Sequence, residues 1–266
     1  MKLLFLGTGT SGGVPQIGCN CRVCRSSDPR DRRLRTSALL ESDIGTRILI
    51  DCGPDFREQM MRCSAAQTLL SAILITHHHY DHIGGLDDLR PLSLFSMPIY
   101  VEPACAQQLH QRLPYCFVPS GNPKITVPSL NLQELHIHTP FCVSDIEITP
   151  IRVFHGKLPI AGFVFNSPES SPSTPLKLAY ITDMSSLPDS EWPYLEGIDT
   201  LVVNALHHRS HPSHMTIEES IRFAQRVGAR QTYFVHMSHY CLPHAEEEAQ
   251  LPPGIHFAYD GLQIQI

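Results

Sequence analysis

Residues 76–85 read THHHYDHIGG and place four histidines and one aspartate within the six consecutive positions 77–82. Side chains alternate between the two sides of an extended backbone. His77 and His79 therefore point to one side and His78 points to the other. We expect His78 to stay out of any site that the other two form.

A second pair of donors, Asp81 and His82, follows a turn after Tyr80. Because the chain changes direction there, this pair faces a different way from the first one. The pattern H-x-H-x-D-H directly after an apolar run indicates a metal site rather than a histidine-rich surface loop. Two donors in each of two directions predict two metal ions rather than one.

Several apolar runs end at a histidine or an aspartate. They are LSAILIT before His77, ITPIRVF before His155, KLAYIT before Asp183 and QTYFV before His236. Strands whose ends face a common edge can bring such side chains into one crevice. His155 would complete the first pair and His236 the second, and the two oxygens of Asp183 would let it bridge both ions. Two ions held close together lower the pKa of a shared water, so a hydroxide between them is the expected nucleophile.

The composition describes a compact globular chain. Its 266 residues are 42% hydrophobic and 17% charged, and the net charge is -6. This charge disfavours an extended nucleic-acid partner but not a small anion. The apolar run at residues 3–6 is too short for a signal peptide, and no run approaches the length of a membrane span. We expect a cytoplasmic protein without membrane contact; a homodimer is compatible with the sequence.

Short strand-like runs alternate with helical patterns along the chain. The strands are predicted at residues 3–6, 38–41, 47–51, 72–76, 99–101, 146–154, 162–165, 178–182, 201–204, 231–235 and 262–266, and the helices at 55–66, 104–113 and 216–227. Such an order favours a layered α/β sandwich. Residues 166–175, rich in serine and proline, are expected to be a hairpin loop. The arginines at 30, 32, 33 and 35 are expected to form a solvent-exposed loop.

A glycine motif near the N-terminus imitates a dinucleotide-binding turn. Residues 7–12 satisfy G-x-G-x-x-G after a strand. A dinucleotide fold needs a helix to begin there, and Val14-Pro15 and a cysteine-rich loop follow instead. We therefore exclude a nucleotide cofactor at this position.

Three of the nine cysteines form a second cluster of donors. Cys19, Cys21 and Cys24 give C-x-C-x-x-C, a spacing that suits zinc with a fourth ligand from elsewhere. His239, three residues beyond His236, is the expected fourth ligand. The remaining cysteines stand singly and are expected to be small buried side chains.

The order H-x-H-x-D-H, His, Asp, His resembles that of the metallo-β-lactamase superfamily, along essentially the whole chain. Together with GTGTSGGVPQIGCNCRVC (7–24), FVHMSH (234–239) and AYDGLQIQI (258–266), it resembles the PhnP family of phosphoribosyl cyclic-phosphate phosphodiesterases. The resemblance implies one domain over residues 1–266 with a four-layer αββα sandwich. It also implies a structural zinc and a catalytic metal pair, often manganese. The implied reaction is hydrolysis of a small cyclic phosphate, 5-phosphoribosyl 1,2-cyclic phosphate.

The resemblance further implies which side chains take part in the reaction. It places the general acid at His214, with Asp81 contributing to catalysis as a ligand. An imidazole pKa near 6.5 would suit that acid at neutral pH. Arg90, Lys157 and His211 are candidates for binding the substrate.

Other functions remain open at this point. The same ligands could hydrolyse a lactone, an ester or a thioester, or process the 3′ ends of transfer RNA. A binding role like that of the B protein of pyrroloquinoline-quinone biosynthesis is a further alternative, because that protein shares the C-x-C-x-x-C loop. The metal in the pair could be manganese, iron or zinc.

Overall fold

The computed structural model describes residues 1–92, 96–117, 127–128, 130–166 and 176–266. Within them, two seven-stranded mixed sheets face each other. The first sheet contains, in spatial order, β14 (Gln263–Gln265), β1 (Lys2–Gly7), β2 (Ser37–Glu41), β3 (Arg47–Ile50), β4 (Ala72–Leu74), β5 (Met97–Val101) and β6 (Leu130–Glu134). The second contains β13 (Ile255–Phe257), β12 (Gln231–Val235), β11 (Thr200–Asn204), β10 (Lys177–Ile181), β9 (Leu158–Asn166), β8 (Ile146–His155) and β7 (Phe141–Val143).

Each sheet joins an antiparallel part to a parallel part. Neighbouring strands from β3 to β6 pair in parallel, as do those from β10 to β13. β8 and β9 form a long antiparallel hairpin in which His155 pairs with Leu158. The carboxyl ends of the parallel strands therefore meet at one edge, where the polar residues of the sequence pattern follow.

The core between the sheets follows from alternation along each strand. In β1, Leu3 and Phe5 point into the layer between the sheets, where they pack with buried residues such as Phe163 and Tyr180. Leu6 of the same strand packs on the opposite face. The alternation of side chains thus lets one apolar strand contribute to two separate cores.

Helices cover the outer face of each sheet. They are α1 (Phe56–Met61), α2 (Tyr80–Ile83), α3 (Pro103–Arg112), α4 (Ile217–Val227) and α5 (His244–Glu248). Phe56 of α1 and Leu109 of α3 pack against the first sheet, and Phe223 of α4 packs against the second. The arrangement is the four-layer αββα sandwich that the resemblance implied, so that prediction is confirmed.

α4 begins with a capping box at the sequence Thr216-Ile-Glu-Glu219. The Thr216 hydroxyl accepts a hydrogen bond from the Glu219 amide, and the Glu219 carboxylate accepts one from the Thr216 amide. Gly228 ends the helix in the left-handed conformation, with φ of 71°. Such caps satisfy amides that the first turn of a helix leaves unpaired. The cap therefore anchors the chain directly after His214.

Three strands have no counterpart in the sequence prediction: β6, β7 and β13. β7 and β13 are only three residues long, and β6 is mixed in polarity with no fully buried residue. All three lie at sheet edges, where one neighbouring strand is enough and the apolar alternation is weak. Residues 167–175 lie outside the described residues. The strands beside them pair in an antiparallel manner, with Asn166 opposite Lys177.

Two predictions about single residue types are wrong. Arg33 is buried, not solvent-exposed, because its guanidinium donates to the Thr8 hydroxyl and the Ala258 carbonyl and contacts His244 Nδ1. Cys142 is exposed rather than buried. Within the described ranges, no helix has the length and apolar character needed to cross a membrane.

Candidate active site

The site lies where strands of both sheets end. Asp51 directly follows β3, Asp183 follows β10 after one residue, and His236 directly follows β12. Their φ angles are 59°, 57° and 61°, in the left-handed region that residues other than glycine adopt rarely. Such backbone strain concentrates at functional sites, because it turns a side chain where a regular strand would not. These three residues are aimed into the crevice by their backbone.

His77, His79 and His155 form the first set of donors. One ring nitrogen of each lies within 4.8 Å of the others. The ring centroids of His77 and His79 are 4.5 Å apart, and those of His79 and His155 are 5.0 Å apart. β4 and β8 belong to different sheets, so only the packing of the two sheets brings these rings together.

Asp81, His82, Asp183 and His236 form the second set of donors. Their ligand atoms also lie within 4.8 Å of one another. His82 Nε2 is 3.3 Å from an oxygen of Asp81, and His236 Nε2 is 3.6 Å from the same oxygen. α2 is a single turn that starts at Tyr80, which rotates Asp81 and His82 away from the direction of His77 and His79.

Asp183 lies between the two sets. Its Oδ2 atom is 3.2 Å from His236 Nε2, 3.3 Å from His82 Nε2 and 3.9 Å from His77 Nε2. Its other oxygen, Oδ1, accepts a hydrogen bond from the Thr182 hydroxyl. One carboxylate oxygen thus contacts both groups of rings, as a bridging ligand would. We call the seven residues of both sets the donor cluster.

The donor cluster is suited to metal ions because several of its ring nitrogens are buried and lack a hydrogen-bond partner among the described residues. His77, His82 and His236 each bury their Nε2 atom without a hydrogen-bond partner in the described residues. An unpaired buried polar atom is costly, and such atoms are rare in folded proteins. A cation among them would use their lone pairs and balance the carboxylates. Imidazole and carboxylate donors accept Zn, Fe and Mn.

Neighbouring groups orient the rings of the donor cluster. Asp51 is fully buried; its Oδ2 lies 2.6 Å from His82 Nδ1, and its Oδ1 accepts from the Thr76 amide at 2.8 Å. His155 Nδ1 lies 2.8 Å from the Ser213 carbonyl oxygen, so it must donate there. A proton on Nδ1 leaves Nε2 free to bind a metal. The contacts at Nδ1 therefore fix both the tautomer and the orientation of each ring. Asp51 is visible in the sequence as an aspartate at the end of an apolar run, whereas the carbonyl of Ser213 has no sequence signal.

The charges of the cluster are strongly coupled. Burial raises the pKa of Asp183, but the adjacent His236 and His82 outweigh it and hold the pKa well below its usual value. Burial alone would lower the pKa of His82, but Asp183, Asp51 and Asp81 raise it well above the usual value. The carboxylates therefore require positive charge nearby.

His214 lies beside the donor cluster. Its Nε2 is 3.3 Å from Asp183 Oδ2, and its Nδ1 lies 3.2 Å from both Ser213 Oγ and His211 Nδ1. Burial lowers the pKa of His214 to about 4 despite the Asp183 contact. This pKa lies below the value near 6.5 that we expected for the imidazole from the sequence. An anionic substrate in contact with it would raise that pKa again.

The second constellation is assembled as the spacing predicted. Ligand atoms of Cys19, Cys21, Cys24 and His239 lie within 4.8 Å of one another. His239 Nδ1 is 3.2 Å from Cys19 Sγ and 3.6 Å from Cys21 Sγ. Burial raises the pKa of Cys21, but contacts with the Cys24 amide and His239 lower it to about 6. Four donors of this type make a closed site that suits zinc and leaves no position for a substrate.

The structure places the other predicted residues in different surroundings. His78 is absent from both donor sets, and its carbonyl accepts from Arg112. Arg90 pairs with Asp87 and lines a surface cavity of about 360 Å³ with apolar neighbours. Lys157 is exposed on the β8–β9 turn, two residues after His155. The role of Arg90 and Lys157 in substrate binding stays a prediction.

Comparisons with known proteins agree with this geometry. Residues 46–237 match the model of the beta-lactamase superfamily domain. An octanoyltransferase of Porphyromonas gingivalis is 42% identical over 99% of this chain, which corresponds to 51% of that protein. The chain spans about half the length of the curated relatives it matches, among them proteins of coenzyme PQQ synthesis.

Two solved structures resemble the chain along its whole length. A crystal structure described as a new diphosphatase from the PhnP family has a TM-score of 0.86 and 39% identity, and the match covers 100% of this chain and 97% of that one. Zinc-bound PqqB from Methylobacterium extorquens has a TM-score of 0.79 at 19% identity, with 100% of both chains covered, and so shares the fold. The chain belongs to the beta-lactamase superfamily and, within it, to the PhnP family.

Proposed function

We propose that this chain is a metal-dependent phosphodiesterase that hydrolyses a small cyclic phosphate such as 5-phosphoribosyl 1,2-cyclic phosphate. The observation that carries the proposal is the donor cluster itself. Its buried Nε2 atoms have no hydrogen-bond partner among the described residues and surround the carboxylate of Asp183. Without metal ions, these unpaired buried atoms would only destabilise the folded state.

In this proposal, His77, His79 and His155 would hold one divalent ion, and Asp81, His82 and His236 would hold the other, with Asp183 between the two sets. When bound, such a pair supplies positive charge to phosphoryl oxygens and activates a water molecule. Catalysis by Asp81 thus consists in holding an ion. The Cys19, Cys21, Cys24 and His239 set holds a separate zinc that stabilises the fold.

His214 provides the proton in this proposal. Breaking a phosphodiester leaves an alkoxide on the departing oxygen, which must be protonated. His214 Nε2 faces Asp183 Oδ2 at 3.3 Å and lies on the rim of the donor cluster. Because burial lowers its pKa to about 4, the ring needs the negative charge of the substrate to bind its proton. His214 is thereby protonated when the anion is present, which is when the proton is needed.

A second candidate reaction is hydrolysis of a diphosphate. It is favoured by the 39% identical PhnP-family structure, which is described as a diphosphatase. In an esterified diphosphate and in a cyclic phosphodiester, the phosphorus atom is bonded to two bridging oxygens and two non-bridging oxygens. The same donor cluster would act on either one, and the surrounding surface would choose between them.

The test compares several bond types on one protein preparation. Purified protein is stripped with a chelator, reloaded with manganese or zinc, and assayed on bis(p-nitrophenyl) phosphate, a ribosyl cyclic phosphate, a dinucleoside diphosphate, a lactone, a thioester and a transfer-RNA precursor. We expect phosphodiester hydrolysis that depends on the returned metal. Activity on the lactone, the thioester or the RNA without any on the phosphate diesters would overturn the proposal.

Asp183→Ala tests the site within that comparison. It should lower turnover at least about a thousandfold, because the contact to both donor sets is lost. Asp189→Ala, which removes an exposed carboxylate six residues further on, is the matched control and should retain full turnover. Elemental analysis of both variants should still find the zinc of the cysteine site.

A further inference from the structure

A path of aromatic rings leads from the donor cluster to the protein surface. The ring centroids of His214 and His211 are 5.0 Å apart, and those of His211 and His207 are 6.1 Å apart. The His207 ring is in turn 5.8 Å from that of Tyr240. Tyr240 directly follows His239 of the cysteine site. His211 and the buried His207 therefore link the ring of His214 to that of the exposed Tyr240.

Arg209 lies at the outer end of this path. The central carbon of its guanidinium is 5.0 Å from the centre of the Tyr240 ring, at cation–π distance. In the part of the chain that the structure describes, no carboxylate lies within ion-pair distance of Arg209. The chain has a net charge of -6, so acidic partners were available elsewhere on the surface. A cation without an acidic partner at the outer end of this path is suited to an anionic ligand.

The backbone around Arg209 is held firmly in place. Its amide donates to His207 Nδ1 at 3.1 Å. The next side chain toward the N-terminus, His208, lies between Glu218 at 2.6 Å and Glu247 at 2.9 Å. These contacts join the loop to α4 and α5, so the position of Arg209 relative to His214 is defined. A defined position is what selective recognition of a ligand requires, because less entropy is lost on binding.

The position of Tyr240 is also fixed by contacts, although its side chain is exposed. Its amide donates to the Ser238 hydroxyl, and its ring lies 4.1 Å from that of His239. Nevertheless 55% of its surface remains exposed. The cysteine site thus fixes the backbone beneath an aromatic ring that faces solvent, and that ring positions the guanidinium.

We propose that Arg209, positioned by Tyr240, binds a second phosphate group of the substrate, one that is not cleaved. This inference rests on the proposed function, because it assumes that the reacting phosphoryl group lies at the donor cluster. A guanidinium matches phosphate through two parallel hydrogen bonds, which an ammonium cannot form. The enzyme would therefore prefer substrates that carry an additional phosphate over simple phosphodiesters.

The first experiment measures selectivity on the metal-loaded, full-length protein. Arg209→Ala should lower kcat/KM about 10- to 100-fold for 5-phosphoribosyl 1,2-cyclic phosphate, the effect of losing charge-assisted hydrogen bonds. The loss for bis(p-nitrophenyl) phosphate, which has no second phosphate, should be at least tenfold smaller. Arg209→Lys should recover only part of the difference, because it restores charge without the paired geometry. Equal losses for both substrates would overturn the proposal.

Arg226→Ala is the matched control. Arg226 also lies over an aromatic ring, with its guanidinium 3.5 Å from the centre of Trp192, but it belongs to the C-terminal end of α4. This variant should leave the selectivity between the two substrates unchanged. A similar selectivity change in Arg226→Ala would mean that general charge, rather than the Arg209 position, is responsible, and would refute the inference.

A binding measurement separates this inference from the proposed function. Calorimetric titration of metal-loaded protein with ribose 5-phosphate should show affinity at least tenfold weaker in Arg209→Ala than in the native chain. Equal affinity in the two proteins, or no binding by either, would overturn the phosphate subsite. If the native chain hydrolyses no phosphodiester, the proposed function fails, and this titration still decides about Arg209.

Discussion

Asp51→Asn tests whether a buried carboxylate controls metal binding through His82. Asn has the same shape as Asp and tolerates the φ of 59° at this position. Its side-chain oxygen can still accept from the Thr76 amide, as Asp51 Oδ1 does at 2.8 Å. The variant should therefore fold, with an unfolding free energy lower than the native value by no more than about 3 kcal/mol.

The consequence for His82 follows from the amide nitrogen of the substituted side chain. With its oxygen on Thr76, the introduced asparagine would direct an N–H toward His82 Nδ1, where Asp51 Oδ2 now lies at 2.6 Å. The ring proton would then move to Nε2, the atom that faces Asp81 and Asp183. A protonated Nε2 has no lone pair for a metal ion. The lost charge-assisted bond, worth about 1.5–3 kcal/mol, corresponds to about 10- to 150-fold weaker metal binding.

The assay is a titration of the chelated protein with manganese, followed by activity and by elemental analysis. We expect the midpoint for Asp51→Asn at about 10- to 150-fold higher free metal, with unchanged zinc in the cysteine site. Asp145→Asn is the control, since Asp145 accepts from the hydroxyls of Ser42 and Thr46 and is not a member of either donor set. A native midpoint for Asp51→Asn would refute the orienting role of Asp51.

Three further predictions concern the zinc, the pH dependence and the core. His239→Ala should reduce the metal content from about three ions per chain to about two and lower thermal stability, because it removes one of four ligands; an unchanged zinc count would contradict the assignment. Burial and Arg33 lower the pKa of His244 to about 4, and its Nδ1 accepts from the Arg33 guanidinium. Since the unfolded chain then binds more protons, the unfolding free energy should fall by about 1–2 kcal/mol as the pH drops from 6.5 to 4, which urea titrations of the native chain and of His244→Gln would measure; an equal slope in the variant would exclude His244 as the cause. Phe163→Ala, in the layer between the sheets, should cost about 3–5 kcal/mol of unfolding free energy, and a loss below about 1 kcal/mol would show that this layer is loosely packed.

The sequence was sufficient wherever a signal is local. The alternation of His77, His78 and His79 depends on two successive backbone positions, and the structure leaves His78 out of both donor sets as predicted. The capping box of α4 depends only on Thr216 and on Glu219 three positions later, and both of its hydrogen bonds are present. The apolar runs before His155 and His236 likewise describe their own strands. Such patterns are readable because bonded geometry restricts neighbours directly.

Only the tertiary structure decided how distant segments act on one another. Four findings depend on burial or on segments far apart in the chain. They are the burial of Arg33, the lowered pKa of His214, the contact of Ser213 with His155 and the placement of Arg209 over Tyr240. The donors themselves could be named from the sequence because metal chemistry selects few residue types. Their mutual distances, and the electrostatic field that sets their protonation, arise only when the two sheets pack and exclude water.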